Sequence, residues 1–166
     1  MGRNERPGAA SDGAKARTET ERLAAALVSE ILAADQMMRA RLSRALPKGM
    51  ELSHFGVLNY LAQTREERSP AELARAFRVT RGAMTNTLSR LEWAGHIHVR
   101  PDWEDARRKR VALSLAGRAA RDAAVAAVQP VMLESLGTME PERLRAALAV
   151  LREMRTTLSD PEGQTD

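Results

Sequence analysis

The sequence predicts a mainly α-helical protein that carries one small β-hairpin. Three features predict it. Apolar residues recur at three- and four-residue spacing towards both ends of the chain. Two short segments with strong helix-start signals lie between them. Directly after the second, two stretches alternate apolar and polar residues with the period of a strand.

Residues 1–17 lack periodicity and are expected to form a disordered tail, as are residues 159–166. Thr18-Glu19-Thr20-Glu21 fits a capping box and places a helix start there. Leu23, Leu27, Ile31, Ala34, Met38 and Leu42 then form one apolar stripe, ending near Pro47. Such a helix runs about 40 Å, longer than a small globule needs, so it is expected to meet a partner. A second helix covers roughly 52–63. Ser69-Pro70-Ala71-Glu72 joins an N-cap, a first-turn proline and a closing glutamate, and starts a short helix over 70–77. After a tight turn at Arg78-Val79, Thr80 caps a fourth helix, about 81–94, closed by Gly95. Ser114 caps an alanine-rich helix over 115–129, and Pro130 either kinks it or begins another. A last helix, 141–158, carries Leu144, Leu148, Leu151, Met154 and Leu158.

Two short helices joined by a tight turn form a helix-turn-helix. In the second, Met84, Leu88 and Leu91 share the inner face. Gly82, Asn86, Ser89 and Trp93 fall on the opposite face, flanked by Thr85 and Arg90. Small and polar residues at that end let a helix approach base edges in a major groove. His96–Val99 and Arg110–Leu113 read as the antiparallel strands of a wing, with Ile97, Val99, Val111 and Leu113 turned to the core. The fold class is therefore a winged helix-turn-helix, residues 47–114, between an N-terminal dimerisation helix (18–46) and C-terminal dimerisation helices (115–158).

Charge points the same way. Residues 70–115 hold nine bases against five acids, and the remainder of the chain is balanced. All of the net charge of +4 thus lies in the central segment, as a phosphate-binding surface requires. Arginine, the better bidentate partner of phosphate and guanine, outnumbers lysine 23 to 3. Aromatic residues make up 3% of the chain, too few for platforms that stack single-stranded bases. There is no cysteine, so thiol redox chemistry and thiolate metal sites are excluded. No apolar run is long enough to span a membrane and the start lacks a signal-peptide core, so a soluble cytoplasmic protein is expected.

From about 80 to 117 the chain resembles the multiple-antibiotic-resistance regulator (MarR) family. The resemblance lies in Gly82-Ala83-Met84-Thr85-Asn86, then Leu91-Glu92, Gly95, Ile97 and Arg100. It continues through Pro101-Asp102, Glu104-Asp105, Arg107, Val111, Leu113 and Gly117. Ser114 stands where the pattern has threonine, and His96 where an apolar or aromatic residue is usual. Helix order and length fit the family from about 20 to 158. The resemblance implies a homodimer joined through its terminal helices and bound to pseudo-palindromic double-stranded DNA. It implies that Asp105 pairs with Arg107 to hold the wing in shape. It also implies a repressor released by a small aromatic or phenolic effector bound between the dimer arms and the reading heads.

The expected DNA-contacting residues are Arg81, Gly82, Thr85, Asn86, Ser89 and Arg90 on the helix and Arg107, Arg108 and Lys109 on the wing. Arg110, alternating with Val111, reads as strand surface. No paired carboxylates, glycine-rich phosphate loop or nucleophile triad marks an enzyme, and no cofactor is expected. Two rival readings remain. One is a winged helix turned to protein binding. The other is a metal-sensing regulator using His96 and His98, for which no further ligands stand at suitable spacing.

Overall fold

A computed structural model describes residues 8–103, 105 and 107–158. The chain divides into two units at Arg44/Ala45.

The first unit is most of helix α1 (Gly8–Ala45), 38 residues long. It begins ten residues before the expected start at Thr18. A capping box ends the upstream chain only where that chain is a poor helix former. Here Ala9, Ala10, Ala14 and Ala16 precede it, and alanine has the highest intrinsic helix propensity. Along α1, Leu23, Leu27, Val28, Leu32 and Met37 are exposed. An amphipathic helix gains little from propensity alone and needs its apolar face covered.

The second unit holds the winged helix-turn-helix. Helix α2 (Leu52–Thr64) is followed by α3 (Pro70–Ala76) and α4 (Arg81–Trp93). Strands β1 (Ile97–Pro101) and β2 (Lys109–Leu113) pair antiparallel, with Ile97 opposite Leu113 and Val99 opposite Val111. Helices α5 (Leu115–Leu136) and α6 (Pro141–Thr157) complete the order. Pro130 lies inside α5, which continues as one helix to Leu136.

The core joins Val57, Leu58 and Leu61 of α2, Leu73 of α3, Met84, Leu88 and Leu91 of α4, and Ile97 and Val111 of the wing. Burying each Leu or Ile contributes roughly 1.5–3 kcal/mol. A backbone bridge closes the wing on its outer side. Val111 N–H donates to Arg68 O at 2.8 Å, and Arg68 N–H donates to Val111 O at 3.1 Å. Because Ser69 caps α3 immediately after Arg68, this bridge ties the start of α3 to the wing.

The wing also returns to the end of α4. Gly95 takes φ +71°, and His96 N–H bonds back to Leu91 O at 2.9 Å. Ser114 Oγ donates to Gly95 O at 2.7 Å and accepts from Gly117 N–H at 2.8 Å. A Cβ at Gly117 would lie 1.8 Å from His96 O. Glycine is required there by close approach of backbone to backbone. Distal α5 and α6 leave Met132, Leu133, Leu136, Leu148, Val150 and Leu151 exposed.

Gly117→Ala therefore destabilises the second unit by about 3 kcal/mol, at the upper end of overpacking costs. Urea unfolding checks this. An unchanged midpoint would mean that α5 can slide off His96 without cost.

Candidate nucleic-acid interface

The caps expected from sequence form the frame of the interface. Ser69 Oγ accepts from Glu72 N–H at 3.2 Å, while Glu72 Oε2 accepts from Ser69 N–H at 2.7 Å. These bonds hold the Glu72 carboxyl below its usual range, Ser69 acting most strongly and Arg110 adding to it. Thr80 Oγ1 accepts from Ala83 N–H at 3.2 Å and starts α4. Between the helices Arg78 adopts φ +51°, a conformation a non-glycine residue seldom takes outside a tight turn.

Arg81, Gly82, Thr85, Asn86, Ser89 and Arg90 are all exposed on α4. Among the described residues nothing lies within 4 Å of a Cβ built on Gly82, so their packing does not require glycine there. Thr85 Oγ1 donates to Arg81 O at 2.8 Å within the helix.

The wing shows what the acids before its basic run do. Asp102 accepts from Arg110 Nε at 2.7 Å, and Asp102 N–H donates to Arg108 O at 2.9 Å. Asp105 Oδ1 accepts from the Arg107 backbone N–H at 3.0 Å, and Asp105 pairs with the Arg108 guanidinium at 3.3 Å. The expected Asp105–Arg107 contact is therefore made to the backbone of Arg107. Arg110 is more than strand surface, since it also reaches Glu72 of α3 at 3.8 Å. Arg100 on β1 is held by Glu67 through bonds of 3.3 and 2.7 Å. Among the described residues, no carboxylate pairs with the side chain of Arg107 or Lys109.

A groove of about 770 Å³ opens between α3, the start of α4 and the wing. Arg75, Arg81, Thr85, Arg107, Arg108 and Lys109 line it. The structure thus gathers five of the nine expected residues in one concavity. It adds Arg75, which belongs to the basic window but whose place no local pattern reveals. Gly82 and Asn86 are exposed outside the groove lining. Ser89 and Arg90 line a different pocket.

That second pocket, about 670 Å³, lies between the start of α2, the end of α4 and α5. Met50, His54, Arg90, Trp93 and His96 are among its lining residues. Arg90 pairs with Glu51, the N-cap residue of α2. His54 is 7% exposed. Its Nδ1 accepts from Glu51 N–H at 3.3 Å, and among the described residues its buried Nε2 has no hydrogen-bond partner. Burial pushes the His54 pKa down, with Arg90 and His96 adding to the effect and Glu51 opposing it. From sequence His54 reads as a structural or pocket-lining helix histidine, and it lines this pocket; nothing local to it signals the influence of Arg90 and His96. Among the described residues no three His, Cys, Asp or Glu side chains come together to hold a metal, and His98 is exposed on β1. Among those residues no helix is long and apolar enough to cross a membrane.

Residues 48–108 match the model of the MarR family. None of the curated proteins matches the chain. Among solved structures, the chain is similar to a mutant MarR from E. coli complexed with operator DNA, at 24% identity and a TM-score of 0.69, over 77% of this chain and 92% of that one. It is similar to MepR of S. aureus in a DNA-binding conformation, at 19% identity and a TM-score of 0.69, over 80% and 98%. BpsR of Bordetella bronchiseptica, whose DNA binding is regulated by 6-hydroxynicotinic acid, matches at 22% identity and a TM-score of 0.68, over 81% and 93%. At these identities the likeness is one of fold.

A folded-state pKa below the unfolded value means that the unfolded chain takes up its proton first as pH falls. The stability that neutral His54 supplies is present above about pH 6.5 and is lost as pH drops through the lowered value. His54→Gln keeps a capping acceptor at this position without a titrating ring. Its unfolding midpoint is expected to fall less than that of the wild type between neutral and mildly acid buffer. Equal losses would remove His54 as the cause.

Proposed function

The chain belongs to the MarR family by its segment 48–108 and its winged-helix fold, and on that premise we propose that it is a sequence-specific, duplex-DNA-binding transcriptional regulator. In this reading it acts as a homodimeric repressor released by a small ligand. One observation carries the DNA-binding part: Arg81 and Thr85 of α4 share a single groove with Arg107, Arg108 and Lys109 of the wing. A helix with a bare Gly82 and an exposed Asn86 enters the major groove, where asparagine pairs bidentately with adenine. The wing tip meets the neighbouring minor groove, whose narrow A·T stretches concentrate negative potential. Arg75 and Arg81 take phosphates and set the register.

The uncovered apolar residues of α1, and separately those of distal α5 and α6, support dimerisation through the terminal helices. Two α4 helices would then sit in successive major grooves about one helical turn apart. The second pocket supports ligand control. A small aromatic acid or phenol seated there would accept a hydrogen bond from His54 Nε2–H and compete with Glu51 for Arg90. Because Arg90 belongs to α4, such a ligand acts on the reading helix itself.

Arg107→Ala and Arg110→Ala separate contact from support. Arg107→Ala is expected to leave the melting temperature unchanged, weaken duplex binding and reduce the log–log salt slope by about 1. Arg110→Ala is expected to lower the melting temperature as well, since Asp102 and Glu72 lose their shared cation. Binding titrations at several salt concentrations with parallel melts check both. An unaltered slope in Arg107→Ala would remove that side chain from the phosphate contacts.

A further inference from the structure

The wing carries an aromatic residue that the electrostatic account does not use. Trp103 is 89% exposed at the tip, within the turn that precedes Arg107. A lone exposed apolar side chain needs no explanation. This one is placed. The Arg100 guanidinium lies over the indole, 5.2 Å from the ring centroid, and Arg100 is itself fixed by two bonds to Glu67. The preceding residue, Asp102, is held by Arg110 and by the Arg108 carbonyl. Two of the three acids near Trp103, Asp102 and Asp105, each pair with an arginine, which offsets their repulsion of a polyanion. The indole is steadied by Arg100 and otherwise exposed, and Arg107, Arg108 and Lys109 follow it within six residues on the same wing.

We infer that Trp103 is a DNA-contacting residue, packing its indole against the deoxyribose wall of the minor groove that the wing tip enters. The inference rests on the DNA-binding reading above. The groove is about 6 Å wide, walled by apolar sugar carbons and edged by phosphates. A flat ring with one N–H donor suits both parts, and apolar side chains are a recurrent means of gripping that groove. The cations beside Trp103 commit the occupant to a polyanion rather than to an apolar protein surface. Its contribution differs in kind from that of the arginines. An apolar contact releases no counterions, so it adds affinity without adding to the salt slope. Trp93 is the chain's other tryptophan. It is equally exposed, at 92%, but it borders the pocket of His54 and Arg90 and serves as the internal control.

In Trp93→Phe protein, Trp103 is the sole indole. A dye-labelled duplex spanning the palindrome beside the chain's own coding sequence is titrated into it, reading DNA anisotropy and Trp103 emission together. Expected are a blue-shifted emission, protection from acrylamide as the anisotropy saturates, and about a tenfold loss of affinity in Trp103→Ala, with the salt slope unchanged. Trp103→Phe recovers part of that loss. Saturating anisotropy with unaltered emission and wild-type affinity in Trp103→Ala overturns this inference and leaves the DNA-binding reading standing. No anisotropy change at all overturns both. A blue shift that follows protein concentration without DNA also overturns it, because the indole then meets a second copy of the chain.

Discussion

The arrangement of the second unit depends on Val111. Its side chain is fully buried in the core, opposite Val99 in the hairpin register. Its backbone N–H and C=O point away from β1 and are both taken by Arg68. In an antiparallel pair, alternate residues direct these groups outward, so β2 is bonded on both edges. A one-residue slip would send Val111 to solvent and Arg110 to the core. The register of the wing, the start of α3 and the floor of the groove are therefore one constraint. Glu72 and Arg110 repeat it at the surface.

Charge is arranged around that frame. Two of the three acids that precede the basic run have structural roles: Asp102 holds Arg110, and Asp105 caps the turn and holds Arg108. The exposed Asp105–Arg108 pair adds little to stability and the half-buried Asp102–Arg110 pair adds more, and both decide which cations remain available. Arg107 and Lys109 point to solvent beside Arg75 and Arg81, and a surface of modest net charge becomes locally basic. Arg90 belongs to a different network, with Glu51, His54 and His96. The face of α4 thus has two ends with different neighbours, and one helix borders both the basic groove and the pocket of His54.

What the sequence disclosed was local. The Ser69-Glu72 box, the Thr80 cap, the Gly95 turn and the inward alternation of Ile97, Val99, Val111 and Leu113 follow from contacts a few residues apart, and each stands where its pattern places it. The same local logic failed at Thr18, where an alanine-rich stretch carries α1 past a capping signal. At Pro130 it left two outcomes open, and the helix runs on. Contacts between distant residues were illegible. Arg68 has no strand pattern of its own, Arg110 could not be matched to Glu72, and no spacing links Glu51 to Arg90. The candidate site was legible as a list of residues on α4 and the wing tip. Its division into a groove and a separate pocket was not, because that depends on where α2 and α5 pack.

The central claim is that the groove between α4 and the wing reads duplex DNA. It is tested most directly by titrating the full chain with its own upstream palindrome, with random duplex and with heparin, at two salt concentrations. The account predicts tightest binding to the palindrome, weakening steeply with salt at a log–log slope near −0.9 for each phosphate neutralised. Equal binding to all three would contradict it and would leave a winged helix whose basic groove serves another partner.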